Sequence, residues 1–197
     1  MDPMREMRVY SILEVDPSFI IMIKNKYLTD NMWKIAIEKE PSLFQYMKDP
    51  SEEMVLFALS EDGANIQYLE KLGIAITPKM MYTAVHSYPG AIFLIPKELR
   101  TAKLREFACK EDPELMRDLP LQPSFVRGQL RKDPTLVRFL NDPDEDQICR
   151  AIEADPNVCV YIRKFTPKIR DLIRKLYPEI IPLIPRLSEE FSEHTTD

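Results

Sequence analysis

Apolar positions along this chain return with a period too long for a single helix or strand. Each period is marked by a Pro or Gly that follows an acidic or aromatic residue: Asp16-Pro17, Glu40-Pro41, Asp62-Gly63, Tyr88-Pro89, Asp112-Pro113, Asp133-Pro134, Asp155-Pro156 and Tyr177-Pro178. Successive anchors lie 24, 22, 26, 24, 21, 22 and 22 residues apart. Counted from the anchor, apolar residues recur two, three, five and six places on. Phe19, Ile20, Met22 and Ile23 set the pattern; Leu43, Phe44, Tyr46 and Met47 repeat it, as do Val158, Cys159, Tyr161 and Ile162. Asn65 and Asp118 break it, which predicts looser or specialised units there.

Upstream of the anchor the spacing changes to that of a helix. The fifth residue before it is alanine in five units: Ala36, Ala58, Ala84, Ala108 and Ala151. Large apolar pairs flank this position four apart, as in Trp33 with Ile37, Val55 with Leu59 and Met81 with Val85, so they share one helical face. Thr77-Pro78, Thr101-Ala102 and Thr166-Pro167 mark where that helix starts, because a Thr hydroxyl accepts from orphan N–H groups and Pro at the first helical position loses no bond. Asp49-Pro50-Ser51-Glu52 is a variant of this start that adds acid to the first turn. A second short helix begins at the anchor, capped by Asp16, Asp112, Asp133 or Asp155. The prediction is an all-α solenoid of about eight tandem helical hairpins of roughly 22–24 residues, with residues 1–186 as one repeat domain and 187–197 as a polar tail.

Composition agrees. Hydrophobic residues make up 45% and charged residues 30% of the 197, the balance of a globular chain. The 17 prolines fall mostly at helix starts and corners, where they are tolerated, and four glycines leave little room for phosphate loops. The most apolar run, Ile180 to Ile184, is interrupted by Pro182 and falls far short of the ~20 residues of a bilayer span. The first residues, rich in charge, do not read as a signal peptide. No membrane association and a cytoplasmic location are expected.

Little in the sequence points to chemistry. Cys109, Cys149 and Cys159 lack the paired spacing of a zinc or redox motif and read as reduced, buried thiols. His86 and His194 are the only histidines; His86 falls near the end of a first helix and His194 in the tail. The acidic cluster Asp142, Asp144, Glu145 and Asp146 reads as a capped helix start rather than a metal site. No catalytic residue, metal or cofactor is expected.

The units Met32 to Tyr46, Met54 to Tyr68 and Met80 to Leu94 resemble short α-helical hairpin repeats catalogued as a domain of unknown function in bacteria, protists, phages and large viruses. A weaker similarity to leucine-rich-variant repeats runs through the Asp-Pro corners. The resemblance implies an interaction module, often in proteins that meet a foreign host's machinery.

Two features suggest where a partner binds. The fourth residue after each anchor lies between core positions, predicting an outward ladder of Ile21, Gln45, Gln67, Phe93, Arg117, Arg138, Val160 and Pro182, of which Phe93, Arg117 and Arg138 are types found at interface hot spots. For Phe93 the plainer expectation is burial against the neighbouring unit. Charge is also uneven: Glu38 to Glu70 holds eight acidic and two basic residues, whereas Arg163, Lys164, Lys168, Arg170, Arg174 and Lys175 oppose only Asp171. The leading expectation is a non-enzymatic solenoid that binds a folded protein, as a virus- or mobile-element-encoded inhibitor of a host protein. Nucleic-acid or acidic-surface binding through the basic repeats is the alternative, and self-association through the apolar last repeat a third.

Overall fold

A computed structural model describes residues 3–184, and it is an all-α repeat fold of the α-solenoid class. The α-helices are α1 (Pro3–Val15), α2 (Asp30–Lys39), α3 (Glu52–Glu61), α4 (Pro78–Ser87), α5 (Ala102–Glu111), α6 (Pro123–Lys132), α7 (Glu145–Ala154) and α8 (Pro167–Leu176). Each is followed by one bridging residue and a 3-10 helix that opens on an anchor: Pro17–Met22, Pro41–Tyr46, Gly63–Tyr68, Pro89–Phe93, Pro113–Arg117, Pro134–Phe139, Pro156–Tyr161 and Pro178–Leu183. The described residues contain no strand. The tail at 187–197, and His194 with it, lies outside them.

The second element of each hairpin is thus a 3-10 helix rather than an α-helix. Pro at its start fixes φ, and an Asp just before it turns the chain: Asp16, Asp133 and Asp155 accept from the N–H groups of Ser18, Thr135 and Asn157. Runs this short suit 3-10 geometry. The helix before the corner ends on the same bond each time, as Glu40, Asp62, Tyr88, Asp112 and Asp155 donate to the carbonyls of Ala36, Ala58, Ala84, Ala108 and Ala151. Those alanines are buried, letting neighbouring backbone approach.

From α2 to α8 every α-helix has 10 residues, so the uneven anchor spacing arises in the connectors. Extra 3-10 turns at Asn25–Tyr27 and Lys97–Leu99 lengthen two of them. A third turns through Gly73, whose φ of 70° suits glycine. Thr29, Ser51, Thr77, Thr101 and Thr166 accept from the third N–H of their helices. Ser51, rather than Asp49, is therefore the cap before α3; Asp49 occupies a left-handed turn, φ 46°.

The chain divides into two compact units, Met1–Asp112 and Pro113–Asp197. In the first, Met32, Ile37, Phe44, Met54, Leu59, Ile66, Ile92 and Leu104 are fully buried between successive repeats. Polar contacts join neighbouring helices: ion pairs of Lys39 with Glu14 at 3.0 Å and Lys34 with Glu53 at 2.9 Å, and a hydrogen bond between His86 and Glu111 at 3.1 Å. In the second, Ile152, Val158, Cys159, Ile169 and Ile173 form the best-buried core, and Lys168 joins α8 to Asp146 of α7 at 2.8 Å.

Asn65 does not loosen its unit. It is 1% exposed, and its Nδ2 donates to the Ala58 carbonyl at 2.9 Å, so a buried polar group is satisfied. Gly63 opens the same 3-10 helix because nothing larger fits: a Cβ there would collide with the Ala84 carbonyl and lie 3.1 Å from the Tyr88 Cβ.

Candidate interaction surface

The outward ladder is two residues wide. The fourth residue after the anchor is exposed in every repeat but one, Gln45 being half-buried. The fifth, expected in the core, is also outward: Met22, Tyr46, Leu94, Tyr161 and Leu183 are exposed, and Tyr68 and Phe139 half-buried. Positions +2, +3 and +6 are turned mostly to the core, while +4 and +5 lie mostly at the surface. Asp118 at position +5 is therefore an ordinary surface residue, and its unit is regular, with Leu119 buried one place on.

In the first unit the ladder carries no charge. Ile21 and Met22, Gln45 and Tyr46, Gln67 and Tyr68, then Phe93 and Leu94 follow one another, and the 3-10 helices at Pro41–Tyr46, Gly63–Tyr68 and Pro89–Phe93 are spatial neighbours. Phe93 is 42% exposed rather than buried. The Arg100 guanidinium stands 6.0 Å from its ring centroid and donates to the carbonyls of Phe93, at 2.9 Å, and Ile95, at 2.7 Å. The ring is held in place without being covered.

In the second unit the ladder is cationic and aromatic. Arg138 lies 4.5 Å from the Phe139 ring centroid and 5.3 Å from that of Tyr161, positions in which ring faces attract a guanidinium. Asn141 reaches back to donate to the Arg117 carbonyl at 2.9 Å, tying two repeats together. Beside Arg138 a cleft of about 220 Å³ opens between the loops after Phe139 and after Tyr161, with Asn141, Arg163 and Lys164 on its walls. Of the basic residues singled out in the sequence, Arg138, Arg163 and Lys164 are thus brought to one cleft.

Those of α8 are spread along the helix and partly engaged. Lys168 pairs with Asp146 and, at 3.7 Å, with Glu145; Arg174 pairs with Asp171 at 3.0 Å; Arg170 is half-buried and Lys175 exposed. The acidic cluster is a helix start, as read from sequence. Asp144 accepts from Gln147 N–H at 2.7 Å while the Gln147 side chain accepts from Asp144 N–H at 2.9 Å, and Thr166 donates its hydroxyl to Glu145. Lys168 holds the Asp146 carboxyl below its ordinary range and is itself raised. Among the described residues no cluster of three or more His, Cys, Asp or Glu is placed to hold a metal ion.

The three thiols are buried. Burial, helped by Asp112 and Glu106, pushes Cys109 up to about 12, and burial pushes Cys159 up to about 11, so both stay protonated at neutral pH and are poor nucleophiles. His86 is a surface group at the end of α4, tilted against Phe107 at 6.4 Å. No helix among the described residues is long and apolar enough to cross a membrane.

Comparisons with protein-family models, with curated proteins and with solved structures found no match. Sequence reasoning missed Tyr68, Leu94, Phe139 and Tyr161 as surface residues, because an apolar residue at a recurring position reads as core. It also missed Arg127, Arg131 and Arg150, which line a second groove. The signal for two of them was present: Arg127 and Arg131 stand four apart on one helix.

Proposed function

We propose that the chain is a non-enzymatic repeat protein of the cytoplasm that binds a folded protein, using the two-residue ladder of its 3-10 helices as the contact surface. The observation that carries this is the uncharged row Tyr46, Gln67, Tyr68, Phe93 and Leu94, which sits on closely successive corners and keeps aromatic and aliphatic side chains at the surface. Contiguous apolar surface of this kind marks interaction sites, and Tyr is among the residues that dominate interface energetics. Buried alanines and caps beneath the row hold it rigid, so little ordering entropy opposes binding. The resemblance to repeats of bacteria, phages and large viruses extends the proposal: the partner is a host protein that the chain occupies and blocks. Lys168 and Arg174 already bond carboxylates of their own repeats, which weakens the alternative of a nucleic-acid surface along α8.

Affinity capture from host extract with the native chain and with a Tyr46→Glu, Phe93→Glu variant tests the reading. One stoichiometric protein is expected on the native chain and at least ten-fold less on the variant, with both chains melting alike. Equal capture by the two would sink it.

A further inference from the structure

Between α6 and α7 lies a groove of about 330 Å³ whose floor is Leu130, Ala151 and Ala154 and whose walls carry Arg127 and Arg131 from α6 and Arg150 from α7. Its origin is in the sequence. Where five helices have alanine, α6 has Gln129, and nothing stands within 4 Å of where a Cβ on Gly128 would lie. The ion pairs that join α1 to α2, α2 to α3 and α7 to α8 have no counterpart between α6 and α7 among the described residues.

The three guanidiniums are exposed, and none makes an ion pair among the described residues. Two carboxylates also line the groove, but both are engaged: Asp144 caps α7 through Gln147 N–H, and Asp146 bonds Lys168. The choice of cation is specific to this part of the chain. Residues 113–197 hold nine arginines and four lysines, whereas residues 1–112 hold four arginines and ten lysines. A guanidinium fork matches a carboxylate in two parallel bonds, which an ammonium cannot do.

We propose that the α6–α7 groove receives an acidic, partly apolar peptide segment of a partner protein. Carboxylates of the segment meet Arg127, Arg131 and Arg150, and an apolar side chain between them rests on Leu130, Ala151 and Ala154. One helical turn separates Arg127 from Arg131, about 6 Å, a spacing that two carboxylates of one segment can span. A phosphodiester strand matches the groove less well. It offers no apolar group to the floor, and its bases need aromatic platforms, of which the groove lining has none. The groove shares no lining residue with the cleft at Arg138, so the two surfaces can be tested separately.

The test is fluorescence anisotropy of the full chain at physiological salt with three labelled probes. These are a peptide alternating glutamate with leucine and phenylalanine, a polyglutamate of equal charge, and a single-stranded oligonucleotide of equal charge. The mixed peptide is expected to bind at least ten-fold more tightly than the other two, and Arg127→Gln with Arg131→Gln to weaken it at least ten-fold while far-UV circular dichroism and melting stay unchanged. Tyr46→Glu with Phe93→Glu should leave this binding intact, even if the ladder proves not to bind protein. No binding of the mixed peptide, equal binding by the arginine variant, or tighter binding of the oligonucleotide each overturns the proposal. So does a ten-fold gain in peptide affinity on neutralising Glu189, Glu190 and Glu193 to Gln, which would assign the groove to the chain's own acidic end.

Discussion

The neighbourhood of α3 and α4 and that of α6 and α7 are built on the same repeat, yet one is closed and the other open. At the first, Gly63 and Ala84 bring a 3-10 helix against the α4 backbone with no room for a methyl group. Thr77 caps α4, which buries Met80, Met81, Ala84 and Val85. At the second, Gln122 makes no side-chain cap, Gln129 stands at the alanine position, and α6 buries only Val126 and Leu130. What separates the two is a few side chains per repeat. Gly63 at the corner and Ala58 five places before it accompany the closed pair, and Pro134 with Gln129 the open one.

The sharpest way to break this comparison is to exchange its glycines. Gly63→Ala should cost about 3 kcal/mol, since the collision is with backbone that cannot rotate away, whereas Gly128→Ala should stabilise by about 0.5–1 kcal/mol through helix propensity in open space. Urea unfolding, with Trp33 fluorescence reporting the first unit and circular dichroism the whole chain, would read both. Similar shifts for the two would show that the corners are not differently packed. Helix starts give the next effect. Thr77→Ala is expected to lose about 1 kcal/mol, and Gln122→Thr to gain up to about 1 kcal/mol by supplying the cap that α6 lacks; a gain absent from the second variant would mean that the groove, not the missing cap, limits α6.

The smallest effect is electrostatic. Asp146 is depressed and Lys168 raised by their bond, so what the pair contributes is complete above the usual carboxylate range and is lost as pH falls through the depressed value of Asp146. On the alkaline side it persists until the raised Lys168 loses its proton. Both groups are exposed, which keeps the contribution small. The difference in urea midpoint between native chain and Lys168→Met should hold at neutral pH, begin to shrink below the reference Asp value and close once acidification passes the depressed value of Asp146. A difference unchanged across that range would mean that Lys168 acts through its aliphatic stem alone.

Most of the architecture was legible in the sequence because caps and corners are written locally. Thr77, Thr101 and Thr166 sit where the helices start, and all eight anchors open 3-10 helices. The ladder was legible by half. Position +4 follows from spacing, but an apolar +5 has the same residue type as the core positions beside it and reads as core. Asn65 was misleading for a related reason: a polar side chain at a core position reads as a flaw until the carbonyl it bonds is known. The arginine groove depends on what is absent from a neighbouring helix, and such a void has no pattern of its own.

The separation of duties within each corner helix has a further consequence. Positions +2, +3 and +6 are mostly buried, whereas +4 and +5 are mostly exposed, so each repeat carries a two-letter field whose rewriting disturbs the core least. Tyr46, Phe93 and Arg138 are the present spelling of that field. The protein is in this sense a short tape, with its text at the corners and its backing in the core.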